Sequence, residues 1–108
     1  MRRASGERTS RPKQLVLCER TFEAQLGGRS CPLGNTIEFR LLARLNQRPG
    51  WYVSVAQLRA DVWQDEHTTK YTIQRTVCNL HRRLRAHGLT DLVIDGQQRD
   101  HYRLVLNP

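Results

Sequence analysis

Apolar and polar residues alternate along residues 14–33, and the alternation has the period of half-buried β-strands. Glu19-Arg20 and Gly27-Gly28 interrupt it at positions suited to turns. The segment therefore predicts a three-strand antiparallel meander with short strands. Its apolar positions are Leu15, Leu17, Phe22, Ala24 and Leu26.

Two segments with helical periodicity follow. Asn35 has capping-box spacing to Glu38 and is predicted to begin the first helix, which Pro49-Gly50 ends. Ser54 has the same spacing to Gln57 and opens a second helix. The apolar stripes of the two helices are Ile37, Leu41, Leu42 and Leu45, then Val55, Leu58, Val62 and Trp63.

A third helix is predicted over about residues 69–87, and Gly88 stops it. Its apolar positions are spaced four, three and four residues apart, which makes one narrow seam. Two strands follow, at 92–94 and 102–106, joined by a polar hairpin loop at 95–100. The seam consists of Ile73, Val77, Leu80 and Leu84.

This order of elements predicts an α+β fold: a winged helix-turn-helix with an N-terminal three-strand antiparallel meander, three helices and a C-terminal β-hairpin wing. A chain of 108 residues fits one small domain, which we place at residues 14–108. Residues 1–13 are rich in Arg, Ser, Gly and Pro, lack periodicity, and are predicted to form a flexible basic arm that attracts phosphates without sequence preference.

Charge indicates the class of partner. The chain carries 18 Lys and Arg against 10 Asp and Glu, a net charge of +8, which suits a polyanion such as nucleic acid or an anionic membrane surface. The third helix concentrates it, because Lys70, Arg75, Arg82, Arg83 and Arg85 have no acidic residue among them. No apolar run approaches the roughly 20 residues of a membrane span and no signal peptide is evident, so a cytoplasmic location is expected.

Other chemistry finds little support. The cysteines are Cys18, Cys31 and Cys78, an odd count without paired spacing that predicts free, mostly buried thiols in a reducing compartment. Cys78 and His81 lie one helical turn apart, but no second pair completes a zinc site. No metal, cofactor or catalytic constellation is predicted, and the chain is not expected to be an enzyme.

The aromatic residues are interpreted as core or core-edge residues rather than as a stacking platform for single strands, because they make up only 6% of the chain. Those concerned are Phe39, Trp51, Tyr52 and Trp63.

A basic helix followed by a hairpin with a polar tip suits duplex DNA. A helix fits the major groove, and a hairpin can reach the neighbouring backbone or minor groove. With the apolar seam docked, the third helix presents a face of Arg, Lys, Thr, Asn and Gln. Arg can bond guanine, Asn and Gln can bond adenine, and cations neutralise phosphates.

The chain resembles the C-terminal effector domains of OmpR/PhoB-type response regulators in four segments. Residues 33–42 (LGNTIEFRLL) resemble the start of that family's first helix. Residues 53–63, with Val-Ser and Val-Trp, resemble its second helix, and residues 72–84 (TIQRTVCNLHRRL) its recognition helix. Tyr102-Arg103-Leu104 resembles its closing Gly-Tyr-Arg-Leu.

The resemblance implies that the recognition helix enters the major groove while the wing, about residues 96–102, lies alongside. Arg75, Thr76 and Asn79 take base-facing positions. The helix candidates for DNA contact are Lys70, Tyr71, Gln74, Arg75, Thr76, Asn79, His81 and Arg82. The wing candidates are Gln97, Gln98, Arg99 and Tyr102.

The resemblance also implies double-stranded DNA as the partner and transcription regulation as the function. Two copies would bind tandem half-sites, and the loop at 65–69 corresponds to a surface that can contact RNA polymerase.

Departures from the family pattern affect the wing and the input signal. The Gly-x-Gly-Tyr turn is absent, since five residues separate Gly96 from Tyr102. Tyr71 stands where the family has an Arg that contacts phosphate, and Gln74 stands where it has an Asp. Thr76 takes the place of a His, and Asn79 takes the place of an Arg. No receiver domain precedes the winged helix in this sequence, so the chain is either an effector domain of a phosphorelay regulator or a stand-alone relative. Met1 and the arm favour an intact small protein.

Two alternatives remain open. A winged helix can serve as a protein-interaction module, for RNA polymerase or another regulator. A basic one can bind nucleic acid without sequence preference, in which case its third-helix face would carry only Lys and Arg rather than a mixture.

Overall fold

The computed structural model describes residues 14–106, so the predicted arm at 1–13 lies outside the described residues. A π-helical turn, Arg59–Trp63, directly continues the short second helix. The elements in order are β1 (Val16–Cys18), β2 (Glu23–Leu26), β3 (Arg29–Pro32), α1 (Ile37–Asn46), β4 (Val53–Ser54), α2 (Val55–Leu58), α3 (Lys70–Ala86), β5 (Leu92–Asp95) and β6 (His101–Leu106).

Two three-stranded sheets flank the helices, one in the order β1-β2-β3 and one in the order β4-β6-β5. All their pairings are antiparallel, which confirms the predicted meander and hairpin. The sequence did not predict β4, which pairs Val53 with Tyr102 and Ser54 with His101. A strand of two residues is too short to produce a periodic pattern.

Side-chain caps set the starts of α1 and α2. Thr36, rather than the predicted Asn35, caps α1: its hydroxyl accepts a hydrogen bond from the Phe39 N–H at 3.4 Å, while the Asn35 Oδ1 accepts one from Arg40 Nη2. The prediction was wrong by one residue because both side chains suit an N-cap. Ser54 caps α2 as predicted and accepts from the Gln57 N–H at 3.1 Å.

The third helix follows its prediction closely. The Thr69 hydroxyl accepts from the Thr72 N–H at 3.1 Å and so caps the first turn. At the other end Gly88 has a φ of +80°. Its N–H donates to the Arg85 carbonyl, and the Leu89 N–H donates to the Leu84 carbonyl. This is a Schellman motif, in which glycine supplies the left-handed residue.

The core lies where α1, α2, α3 and both sheets meet, and the first sheet contributes Ala24, Leu26 and Cys31 to it. The predicted seam of α3 is buried along its whole length, and the α1 positions Leu41, Leu42 and Leu45 are fully enclosed. Burial of these side chains, at about 1.5–3 kcal/mol each, is the main stabilising contribution. The largest fully buried side chains are Leu33, Leu41, Leu42, Leu45, Leu58, Ile73, Leu80, Leu84, Leu89 and Leu104.

Two aromatic residues predicted as core or core-edge lie outside. Phe39 is buried and Trp63 packs partly against the core, but Trp51 is 63% and Tyr52 37% exposed. Both precede β4, which is one of the two edge strands of its sheet and has a neighbouring strand on one side only. The Arg48 guanidinium covers the Trp51 ring at 5.5 Å from its centroid.

The cysteines also differ from the prediction of mostly buried thiols. All three are free, but only Cys31 is buried, whereas Cys18 is half-buried and Cys78 is exposed. Burial raises the pKa of the Cys31 thiol, and its Sγ donates to the Arg83 carbonyl at 3.5 Å. Within residues 14–106, no helix is long and apolar enough to cross a membrane.

His81, predicted to lie close to DNA, instead joins α3 to the wing hairpin. Its Nε2 accepts a hydrogen bond from the Ile94 N–H at 2.9 Å, and the ring is half-buried. A ring nitrogen that accepts must be unprotonated. Burial, assisted by the nearby Arg85 charge, lowers the pKa of His81 below its ordinary value of 6.5.

We therefore expect the free energy of unfolding to decrease as the pH falls from 7.5 to 5.5. Below pH 6.5, His81 becomes protonated in the unfolded chain but stays neutral in the folded protein, where its pKa is lower. The unfolded state therefore binds more protons, and acid favours unfolding until the pH reaches the folded-state pKa. Urea midpoints at the two pH values measure the effect. His81→Gln keeps an acceptor but cannot titrate, and it should show a smaller pH dependence. An equal pH dependence in the two proteins would contradict the assignment.

Candidate nucleic-acid interface

The face of α3 opposite the apolar seam forms a shallow, solvent-open groove. Its residues recur at intervals of three and four, which places them on one side of a helix. Since α1 and the wing hairpin hold the seam, this side is left to solvent. The residues lining the groove are Tyr71, Gln74, Arg75, Cys78, Asn79 and Arg82.

This face combines cations with amide side chains. Arg75 and Arg82 are exposed, and neither forms an ion pair with another described residue. Gln74 and Asn79 add amides that can both donate and accept. No residue of α3 is acidic. The groove can therefore bind an anion and also form directional hydrogen bonds.

Thr76 does not belong to this face. Its side chain is only 6% exposed, and its hydroxyl donates to the Thr72 carbonyl at 2.9 Å. Position 76 comes three residues after Ile73 and directly before Val77, so it lies on the border of the buried seam. Its predicted base-facing role is wrong for this reason.

Lys70 and the wing form an ion pair that the sequence did not predict. Lys70 Nζ lies 2.7 Å from Asp100 Oδ1, and both side chains are substantially exposed. The Lys70 ammonium lowers the pKa of Asp100. Asp100 also accepts the Val55 N–H through its carbonyl, at 2.8 Å. One residue thus connects the base of the wing to the start of both α2 and α3.

The tip of the wing is exposed at Gln97, Gln98 and Arg99. Tyr102, the fourth wing candidate, is half-buried and packs against the core. A Cβ on Gly96 would lie only 2.7 Å from the Tyr102 ring, so glycine permits this close approach. The structure brings the three tip residues together and separates Tyr102 from them.

Cys78 lies at the centre of the α3 face, whereas from the sequence it was interpreted only as a free thiol or a metal ligand. The signal was present, because residue 78 follows Tyr71 by seven positions and Gln74 by four. Asp95 was predicted only as part of the hairpin loop and Tyr52 only as a core or core-edge residue, so the hydrogen bond between them was missed. Across residues 14–106, no group of three or more His, Cys, Asp or Glu side chains is arranged to hold a metal ion.

Comparison with known proteins agrees with this architecture. A solved structure described as response regulator AdeR DNA binding domain in complex with an intercistronic region superposes with a TM-score of 0.70 at 16% sequence identity. The match covers 89% of this chain and 96% of that chain, and at this identity it establishes a shared fold. No curated protein sequence matches the chain closely.

A family model described as "Transcriptional regulatory protein, C terminal" matches residues 31–104. The match covers more than half of the chain, from β3 through the three helices and into β6. The chain therefore belongs to the transcriptional regulatory protein C-terminal family, the OmpR/PhoB-type winged helices, and its function is DNA binding in the regulation of transcription.

Proposed function

We propose that this domain reads the sequence of duplex DNA with α3 in the major groove and the wing, residues 96–102, beside it. The observation that carries the proposal is the α3 face, where two exposed arginines without an ion-pair partner among the described residues alternate with the exposed Gln74 and the half-buried Asn79. A helix of 17 residues is about 25 Å long, and the major groove is wide enough to admit it.

Within this placement, Arg75 and Asn79 carry most of the base readout. The Arg75 guanidinium can bond two acceptors of guanine, and the Asn79 amide can bond an adenine donor and acceptor. Gln74 has the same amide chemistry five residues before Asn79. Arg82 lies one turn beyond Asn79 and serves as a phosphate contact, since α3 must leave the groove toward one of its ends.

The wing has a different role. Arg99 and the two glutamines at its tip reach the backbone or the minor groove, where contacts supply affinity more than sequence information. Lys70 and Asp100 form an ion pair in the free protein, so Lys70 can bind a DNA phosphate only by leaving Asp100.

Two further partners belong to the proposal. Two copies on tandem half-sites would double the contact area. RNA polymerase would meet the loop at 65–69, where Asp65, Glu66 and His67 are exposed. The Asp65 Oδ1 accepts the His67 N–H at 2.9 Å, and Arg59 Nε donates to the Thr68 carbonyl, so this loop is preorganised. A cytoplasmic location stays a prediction from the sequence.

Selection of bound sites from a random duplex library at physiological salt is the direct test. An enriched tandem repeat is expected. A uniform output with measurable binding would indicate the nonspecific alternative. No DNA enrichment together with tight capture of RNA polymerase would indicate the protein-interaction alternative.

Arg75→Ala should weaken binding to the selected site and relax preference at one base pair. Loss of a bidentate guanine contact costs about 1–3 kcal/mol, a factor of roughly 5–150. Gel-shift titration against duplexes with each base at that position measures both effects. Thr76→Val is the matched control one residue away, and because the Thr76 hydroxyl is satisfied inside the helix, it should bind like the unsubstituted protein. An unchanged affinity for Arg75→Ala would exclude the groove placement.

Binding should also decrease steeply with salt, since each neutralised phosphate releases counterions. Arg99→Ala should weaken specific and unrelated duplexes alike and reduce the slope of log K against log salt by about one. Fluorescence anisotropy between 50 and 300 mM salt provides the slope. A slope identical to that of the unsubstituted protein would remove Arg99 from the phosphate contacts.

A further inference from the structure

We propose that Asp95 is the positioning residue of the wing: its carboxylate fixes the direction in which the loop leaves the sheet, and the DNA contacts of the tip depend on it. The inference rests on the proposed contact between wing and DNA and adds to it a residue outside the predicted contact set. Tyr52, which belongs to the segment before β4, is its main partner outside the hairpin.

Three donors converge on the Asp95 carboxylate. Its Oδ1 accepts the Gln97 N–H at 2.9 Å, and its Oδ2 accepts both Arg103 Nε at 2.9 Å and the Tyr52 hydroxyl at 3.1 Å. The Asp95 side chain is only 13% exposed. Hydrogen bonds to a charged acceptor are stronger than those between neutral groups, so this cluster holds its geometry well.

The donors come from three separate parts of the chain. Gln97 belongs to the wing loop, Arg103 is the β6 residue paired in register with Asp95, and Tyr52 precedes β4 and α2. The carboxylate therefore ties the first residues of the loop both to the opposite strand and to the segment that leads into α2. Movement of the first loop residues relative to the sheet would break the bond from the Gln97 N–H.

The ring of Tyr52 reinforces the cluster. The Arg103 guanidinium lies 4.6 Å from its centroid, and the His101 ring meets it edge-on at 6.3 Å. The hydrogen bonds from the Gln97 N–H and Arg103 lower the pKa of Asp95, whereas burial and the Asp95 hydrogen bond raise the pKa of Tyr52. Tyr52 thus remains a donor and Asp95 an ionised acceptor at neutral pH.

Apart from the Gln97 N–H, the backbone of the tip is held only through the Gln98 and Arg99 carbonyls, which lie within hydrogen-bond distance of His101, and no tip side chain forms a hydrogen bond or ion pair with another described residue. Gln97, Gln98 and Arg99 are exposed. The other end of the loop is held by the Asp100–Lys70 pair, whose side chains are 46% and 61% exposed. That pair competes with phosphate for Lys70, whereas the Asp95 cluster engages no residue of the α3 face. On DNA the Asp100 end of the loop then keeps its backbone hydrogen bond from the Val55 N–H, whereas the Asp95 carboxylate keeps all three of its donors.

Charge alone and positioning predict opposite effects of Asp95→Asn. Removing a negative charge near DNA should strengthen binding, because Asp95 repels phosphate. Asparagine cannot accept three hydrogen bonds in the same way, because one of its two terminal atoms is a donor. Because positioning outweighs the lost charge in this proposal, Asp95→Asn should weaken binding by about tenfold, within the range of couplings between neighbouring groups.

A double-mutant cycle in the full chain separates positioning from general stability. The wing variant carries Gln97→Ala, Gln98→Ala and Arg99→Ala, and Asp95→Asn is measured with and without it on the selected duplex. We expect the loss from Asp95→Asn to be about tenfold with the intact wing and under twofold in the wing variant. Amide exchange at Gln97 should accelerate in Asp95→Asn, which reports the broken anchor directly.

Equal losses in the two backgrounds, or tighter binding by Asp95→Asn, would overturn the inference. A wing variant that binds as tightly as the unsubstituted protein would overturn the proposed wing contact and this inference with it. The placement of α3 in the major groove would not be affected, because Arg75→Ala tests it separately. Thermal unfolding checks the fold of each variant. If Asp95→Asn does not fold, Tyr52→Phe removes a single hydroxyl and should show the same coupling to the wing at about threefold.

Discussion

The burial of one narrow apolar seam on α3 is the constraint on which the rest of the structure depends. Ile73, Leu80 and Leu84 are almost wholly enclosed, so rotation of the helix about its axis would expose apolar side chains and bury charged ones. Each buried leucine or isoleucine contributes about 1.5–3 kcal/mol. The rotation of α3 is thereby fixed, and with it the set of polar residues presented to DNA.

Side-chain contacts then fix the wing relative to that face. His81 joins the middle of α3 to β5, Lys70 joins its start to Asp100, and Asp95 holds the opposite end of the loop through Tyr52 and Arg103. Two of these contacts also decide which cations are neutralised by a carboxylate. Arg103 and Lys70 are compensated by wing carboxylates, whereas Arg75 and Arg82 have no ion-pair partner among the described residues. The α3 face therefore keeps two arginines without a compensating carboxylate.

Local signals predicted much of the fold because the forces behind them act within a few residues. The Ser54 cap, the glycine after α3 and the spacing of the seam all depend on neighbours in sequence, and the structure confirms each of them. The prediction for Thr76 was wrong because a small polar residue at the border of the apolar seam can be either buried or exposed. Trp51 and Tyr52 were misplaced because apolar character alone does not reveal that the adjacent strand is an edge.

The amino-acid sequence determined the order of the elements, the buried seam and the family motifs, because periodicity and capping are encoded in adjacent residues. Tertiary structure decided which polar residues of α3 remain available. It turned His81 toward Ile94 and brought Asp100 to Lys70, 30 positions away in a helix with no acidic residue. It also assembled Tyr52, Asp95 and Arg103 from distant segments. Partnerships of this kind depend on how the sheet packs against the helices, and no local pattern encodes that packing.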